Sequence, residues 1–251
     1  MPDTKFDRVE DALEAIRRGE MIIVADDEDR ENEGDLVMAA SKITPDHVNF
    51  MVKHGRGLIC VTMTPERADA LDLPLMTERN TDPHGTAFTI SVDAHTKFGV
   101  TTGISAQDRS KTIELLADDG AVPDDFRRPG HIFPLRAKAG GVLRRVGQTE
   151  ASVDLARLAD LPPVGVICEI LDEDGTMARV PALKEFAKKH ALPIITIHDL
   201  IEYRRHHELL IEELERVPMP TRFGEFSLRL YGTRVDPDQH VAMVVGDIDP
   251  E

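Results

Sequence analysis

Residues 21–40 of the 251-residue chain read MIIVADDEDRENEGDLVMAA, which is two apolar segments separated by an acidic loop. Residues 21–25 and 36–40 are short continuous apolar runs, and such runs are typical of strands that are buried on both faces. The acidic loop, residues 26–35, carries seven acidic side chains and one arginine. The stretch therefore predicts two neighbouring buried strands joined by a loop of strong negative charge.

Strand and helix signals alternate outward from this stretch. Five more segments with strand composition lie at residues 57–62, 86–94, 131–135, 164–171 and 194–198. Amphipathic or capped segments predict helices at residues 9–18, 46–54, 66–71, 106–117, 150–159 and 182–190. Because hairpin-like pairs mix with crossover helices, we expect an α+β fold in which a mixed β-sheet is flanked by helices.

The composition disfavours several classes of protein. With 46 acidic and 30 basic residues, the formal net charge is −16, which argues against nucleic-acid binding through overall charge. No run approaches the roughly 18 apolar residues of a membrane span, and the charged N-terminus lacks the apolar core of a signal peptide. The two cysteines, Cys60 and Cys168, lie within apolar runs. We therefore expect a reduced cytoplasmic protein with neither a disulfide framework nor a structural zinc site.

The C-terminal part differs in character from the rest. Residues 203–216 predict a polar helix that leaves the first domain, and the VPMP segment is expected to end it. A strand-rich segment starts at Thr221, but about thirty residues cannot bury a core of their own. We expect one domain at residues 1–204, a helical linker at 205–220 and the truncated start of a second domain at 221–251.

The acidic loop is the first candidate site. Carboxylates at this density repel one another and require a cation, a basic partner or full solvation. Oxygen-rich sites suit Mg²⁺, and Arg30 and Gly34 lie within the loop, as expected where a guanidinium and the backbone approach a ligand. The residues alone support a metal or polyol site and a solvated loop about equally.

A second candidate is GVTTGIS, residues 99–105. It places Thr101 and Thr102 between two glycines just before a helix, and Ser105 is expected to cap that helix. Free amides and hydroxyls in this arrangement can bind an anion. An ordinary N-cap turn explains the same pattern.

The third candidate is the basic segment, residues 127–149, which contains no acid. Its cations are Arg127, Arg128, Arg136, Lys138, Arg144 and Arg145. Thr149 is expected to cap the following helix, so that Arg145 and the helix N-terminus together hold a phosphate. Ion pairs between this segment and the acidic loop are the alternative, and we favour the phosphate site.

Three single residues complete the candidates. Glu169 is the only charged residue in VGVICEIL, and a buried carboxylate either meets a cation or acquires a raised pKa, as a general base does. A structural ion pair is equally compatible with the pattern. His131 follows a Pro-Gly turn at a strand start, where a surface or core histidine is the simpler interpretation. Cys60 is expected to be a core residue rather than a nucleophile.

Taken together, nine motifs resemble one enzyme family. In chain order they are DDEDRENEGD, HGRGLICV, LDLPLM, NTDPHGTAFT, GVTTGISAQDR, RPGHIFPLRA, GGVLRR-x-G-x-TEA, CEILDEDGTMAR and IHDLIEYR. Their order, across roughly residues 6–204, resembles that of 3,4-dihydroxy-2-butanone-4-phosphate synthases. The resemblance implies that family's fold and a lyase of riboflavin biosynthesis. This lyase converts D-ribulose 5-phosphate to L-3,4-dihydroxy-2-butanone 4-phosphate and formate with Mg²⁺ or Mn²⁺.

The resemblance also implies a homodimer and assigns roles to matching positions. Arg30 and Glu31 would contact the sugar phosphate, with Glu31 ligating the metal. Asp35 would bind substrate hydroxyls, and His131 and Glu169 would serve the proton transfers.

Further positions would hold the substrate in the same implied site. They are Arg145, Gly147, Gln148, Thr149 and Glu169. Thr101 and Thr102 would line the site from the partner subunit, so that each active site draws on both chains.

One position departs from the family pattern. The family motif GHTEA provides a histidine as the second metal ligand, whereas this chain has Gln148 at that position. Glutamine offers a carbonyl oxygen, which a hard cation accepts, but it lacks the basicity of imidazole. Weaker metal binding is expected. The alternative function is a catalytically impaired homologue that binds a phosphosugar or regulates a partner, and a different Mg²⁺-dependent phosphosugar isomerase or lyase is a third hypothesis.

The C-terminal stretch has a resemblance of its own. MPTRFGEFSLRLY and HVAMVVGDI resemble the opening of GTP cyclohydrolase II, which often follows the synthase domain in bifunctional chains. The zinc site of that enzyme needs a cysteine cluster, and no cysteine follows Cys168. Cyclohydrolase activity is therefore not expected.

Overall fold

The computed structural model describes residues 6–27, 30 and 32–246 and contains two compact units, residues 1–202 and 203–251. In the first unit the described residues form a seven-stranded sheet. Its strands are β1 (Ile22–Ala25), β2 (Gly34–Ala39), β3 (Cys60–Met63), β4 (Val92–Ala94), β5 (Phe126–Arg136), β6 (Val164–Glu169) and β7 (Ile194–Thr196). Their order across the sheet is β4-β5-β3-β6-β2-β1-β7. The pairs β3–β5 and β1–β7 are parallel and the others antiparallel, which confirms the mixed sheet.

Helices flank this sheet. They are α1 (Val9–Arg18), α2 (Pro45–Phe50), α3 (Pro65–Ala70), α4 (Ala106–Leu116), α5 (Gln148–Leu158), α6 (Val180–His190) and α7 (Ile197–His207). The expected cap of α4 is confirmed, because the Ser105 hydroxyl accepts the N–H of Asp108 at 3.0 Å. The expected cap of α5 is wrong. Gly147 has the extended backbone that a capping position requires, so Thr149 lies inside the first turn.

The core forms because the central strands are buried on both faces. Every residue of β1, β2 and β3 is buried, as the continuous apolar runs predicted. The cluster around them includes Ile23, Leu36, Met38, Val61 and Val166. Helix α5 packs on β2, β3 and β6, which brings its N-terminal end close to the polar ends of β2 and β6.

The second unit contradicts the predicted helical linker at residues 205–220. Helix α7 ends at His207, and β8 (Ile211–Thr221), β9 (Gly224–Thr233) and β10 (Gln239–Val244) form an antiparallel sheet in the order β10-β9-β8. Pro218 and Pro220, expected to end a helix, instead lie within β8. The two prolines are two residues apart, so their backbone nitrogens point to the same side of β8. Because β8 is at the edge of the sheet, that side can face away from β9, and neither proline then removes a hydrogen bond to β9.

The sequence argued against a disulfide framework and against a membrane span, and the structure bears on both points. Cys60 and Cys168 are free and buried, so they form no disulfide. None of the helices in the described ranges combines the length and the hydrophobicity needed to cross a bilayer.

Candidate active site

Two carboxylates lie side by side where β2 pairs with β6. Asp35 is the register partner of Glu169, and register partners project from the same face of a sheet. The Glu169 carboxylate is held by the main chain, because its Oε2 accepts the N–H of Leu58 at 2.8 Å. Gly57 permits this approach, since a Cβ there would lie 2.5 Å from Glu169 Oε2. The sheet register thus places the two acids side by side, and the main chain of Leu58 holds the Glu169 carboxylate.

The N-terminal end of α5 meets these carboxylates. No side chain caps the helix at Gly147, so its first N–H groups remain able to bind an anion. Gln148 is only 8% exposed, and its Nε2 donates to the carbonyl oxygen of Val24 at 2.9 Å. The Oε1 atom of the same amide is buried and has no hydrogen-bond partner.

Arg145 is anchored beside this helix. Its Nη1 donates to Glu150 Oε2 at 2.6 Å, and Nη2 donates to the His84 carbonyl at 3.0 Å. The Glu150 side chain is 1% exposed, and its other oxygen accepts the N–H of Lys138 at 2.9 Å. A buried ion pair therefore sets the position of the guanidinium.

These groups line one cavity of about 150 Å³, the carboxylate cavity. The predicted site residues in its wall are Arg30, Asp35, Arg145, Gln148, Thr149 and Glu169. Other wall residues, which the sequence did not single out as site residues, are Glu33, Cys60, Thr86, Phe88, Leu135 and Ile167. All of these except Ile167 belong to one of the nine motifs, so motif membership was a signal for the other five.

Cys60 lies in the wall but is not a nucleophile. Burial raises the pKa of its thiol, and the nearby carboxylates of Glu169 and Asp35 raise it further. The thiol therefore stays protonated, which agrees with the core role expected from the sequence.

Backbone hydrogen bonds and an ion pair hold the part of the acidic loop that the structure describes. The N–H of Asp26 donates to the Glu33 carbonyl at 2.8 Å, and Arg30 pairs with the Asp26 carboxylate. The predicted metal ligand Glu31 lies outside the described residues. Within the ranges that the structure describes, no three His, Cys, Asp or Glu side chains form a group that could hold a metal ion.

His131 lies in a different group of side chains. Its Nδ1 is 2.8 Å from Asp93 Oδ2, and its backbone N–H donates to Asp93 Oδ1 at 2.9 Å. The carboxylate therefore holds both the ring and the main chain of His131. His131 is not among the described residues that line the carboxylate cavity.

The two threonines of GVTTGIS lie outside the wall described for the cavity as well. Thr101 Oγ1 donates to Asp108 Oδ2 at 2.8 Å, and Thr102 is exposed. Burial of Asp108 acts to raise the pKa of its carboxyl, but hydrogen bonds from Thr101 and Gly103 outweigh burial and lower it. We call Asp93, Thr101, Gly103, Asp108 and His131 the His131 group.

Comparison with known proteins identifies the family. A family model described as 3,4-dihydroxy-2-butanone 4-phosphate synthase matches residues 10–203. The chain belongs to this synthase family.

Related sequences and structures agree with this assignment. Riboflavin biosynthesis protein RibBA of Aquifex aeolicus (strain VF5) is 60% identical over 243 residues, which are 97% of this chain and 60% of that protein. RibBA of Bacillus subtilis (strain 168) is 57% identical over 244 residues, again 97% of this chain and 60% of that protein. The chain thus spans about 60% of the length of these relatives.

Solved structures show the same fold. RibBX, a two-domain 3,4-dihydroxy-2-butanone 4-phosphate synthase from A. baumannii, superposes with a TM-score of 0.87 at 50% identity, covering 96% of this chain and 70% of that one. A 3,4-dihydroxy-2-butanone 4-phosphate synthase in complex with two magnesium ions superposes with a TM-score of 0.78 at 47% identity, covering 80% of this chain and 98% of that one. The α+β fold expected from the synthase motifs is confirmed.

The cations of the basic segment lie in several parts of this synthase fold. Arg127 donates to the Thr101 carbonyl, Arg128 to the Leu71 carbonyl, and Arg136 pairs with Asp69. Successive residues of β5 project to opposite faces, so neighbouring cations are separated. Of the segment's cations in the described chain, only Arg145 lines the cavity.

Proposed function

We propose that the chain is a lyase of riboflavin biosynthesis that converts D-ribulose 5-phosphate to L-3,4-dihydroxy-2-butanone 4-phosphate and formate. The main support is the carboxylate cavity, where Asp35 and Glu169 face a cation and a helix N-terminus in a member of the synthase family. The reaction splits a five-carbon sugar phosphate into a four-carbon phosphate and formic acid. It is balanced without an oxidant, a reductant or added water.

Substrate binding follows from the charges in the cavity. The phosphate would bind Arg145 and the uncapped N-terminus of α5, where Thr149 adds a hydroxyl. The sugar hydroxyls would donate to Asp35. In this arrangement the carbon chain of the substrate would lie beside Glu169.

Glu169 is the residue we assign to proton abstraction next to the ketone. Its Oε2 accepts from Leu58, so Oε1 is the oxygen that remains to accept the proton. His131 would serve a later transfer. With Nδ1–H donating to Asp93, the ring keeps Nε2 as the atom that accepts or returns a proton.

A divalent metal fits the donors present. Gln148 Oε1 is a buried oxygen without a partner, and it would hold the ion together with Glu31. When bound, Mg²⁺ or Mn²⁺ supplies Lewis-acid polarisation of the substrate carbonyl, which eases removal of the neighbouring proton.

We also propose that the active unit is a homodimer. The family resemblance places His131, Thr101 and Thr102 at the same site as Glu169, yet the described cavity wall contains none of the three. The His131 side chain is 42% exposed, so a second copy of the chain can reach its ring.

Formate release from ribulose 5-phosphate with Mg²⁺ tests the proposed function. We expect one formate for each four-carbon product, with the product identified by mass. Turnover by Gln148→His but not by the wild type would reject present-day activity and favour the impaired homologue. A product of another mass would favour the third hypothesis, a different phosphosugar isomerase or lyase.

A further inference from the structure

The Gln148 amide is held in one orientation. Its Nε2 donates to the Val24 carbonyl at 2.9 Å, and reversing the amide would set two carbonyl oxygens against each other. Oε1 is therefore the end that stays without a partner, and the residue is 8% exposed. A buried carbonyl oxygen without a partner is unfavourable, and a hydrogen-bond donor or a cation from outside the chain would relieve that cost.

The surroundings indicate the charge of that group. Gln148 lines the same cavity as the carboxylates of Glu33, Asp35 and Glu169. The guanidinium groups of Arg30 and Arg145 line the same cavity, but the acids outnumber them by three to two. An oxygen in this wall is therefore better matched by a cation than by a neutral hydroxyl.

We infer that Gln148 Oε1 is a cation ligand that, compared with an imidazole at the same position, shifts the preference of the site away from Zn²⁺ and Ni²⁺ and toward the hard divalent ions Mg²⁺ and Mn²⁺. The inference rests on the proposed function for the role of the cation in the reaction, but the binding preference can be measured separately.

The chemistry of the cavity wall supports this selectivity. Among its described residues the oxygen atoms that could accompany Gln148 as metal ligands are the carboxylates of Glu33, Asp35 and Glu169 and the hydroxyls of Thr86 and Thr149, and no histidine is present. Carboxylate and carbonyl oxygens suit Mg²⁺ and Mn²⁺, whereas imidazole favours Zn²⁺, Ni²⁺ and Cu²⁺. The thiol of Cys60, whose sheet partners are Ile167 and Phe133, also lies in this wall.

The test is a binding experiment on the purified full chain. Mn²⁺ is titrated while the free ion is followed by electron paramagnetic resonance, and the bound ion is then displaced with Mg²⁺ or Zn²⁺. Gln148→Met keeps a side chain of similar length but removes the carbonyl oxygen. Gln148→His replaces the oxygen ligand with imidazole, and Gln239→Met is the matched control on an exposed residue of β10.

We expect Gln148→Met to weaken Mn²⁺ binding about tenfold or more, and Gln239→Met to leave it unchanged. Gln148→His should raise the preference for Zn²⁺ over Mn²⁺ by about tenfold or more relative to wild type. Equal Mn²⁺ affinity in wild type and Gln148→Met, or an unchanged metal preference in Gln148→His, would overturn the inference. Wild type that does not bind Mn²⁺ would overturn it as well.

Two further measurements separate misfolding and loss of function from loss of the ligand. Thermal unfolding shows whether each variant is folded, and Gln148→His remains informative if Gln148→Met is not. Mn²⁺ binding without formate release would leave the inference intact and contradict the proposed function. Formate release by the wild type, together with an unchanged Mn²⁺ affinity in folded Gln148→Met, would support the proposed function and contradict the inference.

Discussion

The carboxylate cavity and the His131 group are built in different ways. In the cavity, main-chain groups and buried partners fix the functional side chains: Leu58 holds Glu169, Val24 holds Gln148, and Glu150 holds Arg145. In the His131 group, the ring has one carboxylate partner and a side chain that is 42% exposed. One chain thus preorganises the binding half of the proposed site and turns the other half outward, as expected if a second copy completes it.

The largest effect should come from Glu169. Glu169→Gln keeps an acceptor for the Leu58 N–H but removes the base, so formate release should fall about 10²–10⁴-fold. The variant should stay folded, as measured by its thermal unfolding. Glu173→Gln, at an exposed position in the turn between β6 and α6, is the control and should keep full activity. Full activity in Glu169→Gln would contradict the assignment of the carboxylate cavity to proton abstraction.

The next effect concerns the stability of the cavity. Arg145→Met leaves the Glu150 carboxylate buried without its cation, and we expect the free energy of unfolding to fall by about 3–5 kcal/mol. Urea unfolding measures this change. Arg18→Met breaks an exposed pair with Glu20 and should leave stability unaltered. Equal changes in the free energy of unfolding of the two variants would contradict the prediction that the buried pair stabilises the fold more than the exposed pair does.

Mixing two inactive variants tests whether the halves come from different chains. Glu169→Gln and His131→Asn would each be inactive alone. If each site takes Glu169 from one copy and His131 from the other, random reassociation should restore about a quarter of wild-type formate release. No recovery, with mixed dimers demonstrated by mass, would place both residues in the site of one chain and contradict the proposed division.

The smallest effect is the pH dependence of stability in the His131 group. The pKa of Asp108 is lowered in the folded state, so its ionised form stabilises the fold above the unfolded-state pKa. This contribution is lost as the pH falls through the folded-state pKa. The free energy of unfolding should therefore fall more steeply between about pH 5 and pH 3 for wild type than for Asp108→Asn. Equal slopes for wild type and Asp108→Asn would contradict the prediction.

The apolar runs were sufficient to predict the central strands of the sheet, because a strand buried on both faces needs little beyond its own composition. The strand at β8 was missed for the opposite reason. Residues 211–216 are rich in Glu and have helical composition, and only pairing with β9 makes them extended. The prolines that follow are compatible with a strand only because β8 lies at the edge of its sheet.

The candidate site was predictable in its residue types and not in its geometry. Motif order alone identified the synthase family and pointed to Arg30, Asp35, Arg145, Gln148 and Glu169, since each motif is a local property of the chain. Which of these residues share a cavity depends on strand register, which places Asp35 beside Glu169, and on the start of α5, which faces Gln148 inward. Two features depend on contacts between segments that are distant in sequence. They are the separation of His131 from that cavity wall and the unpartnered oxygen of Gln148. A pattern within a single segment cannot predict such contacts.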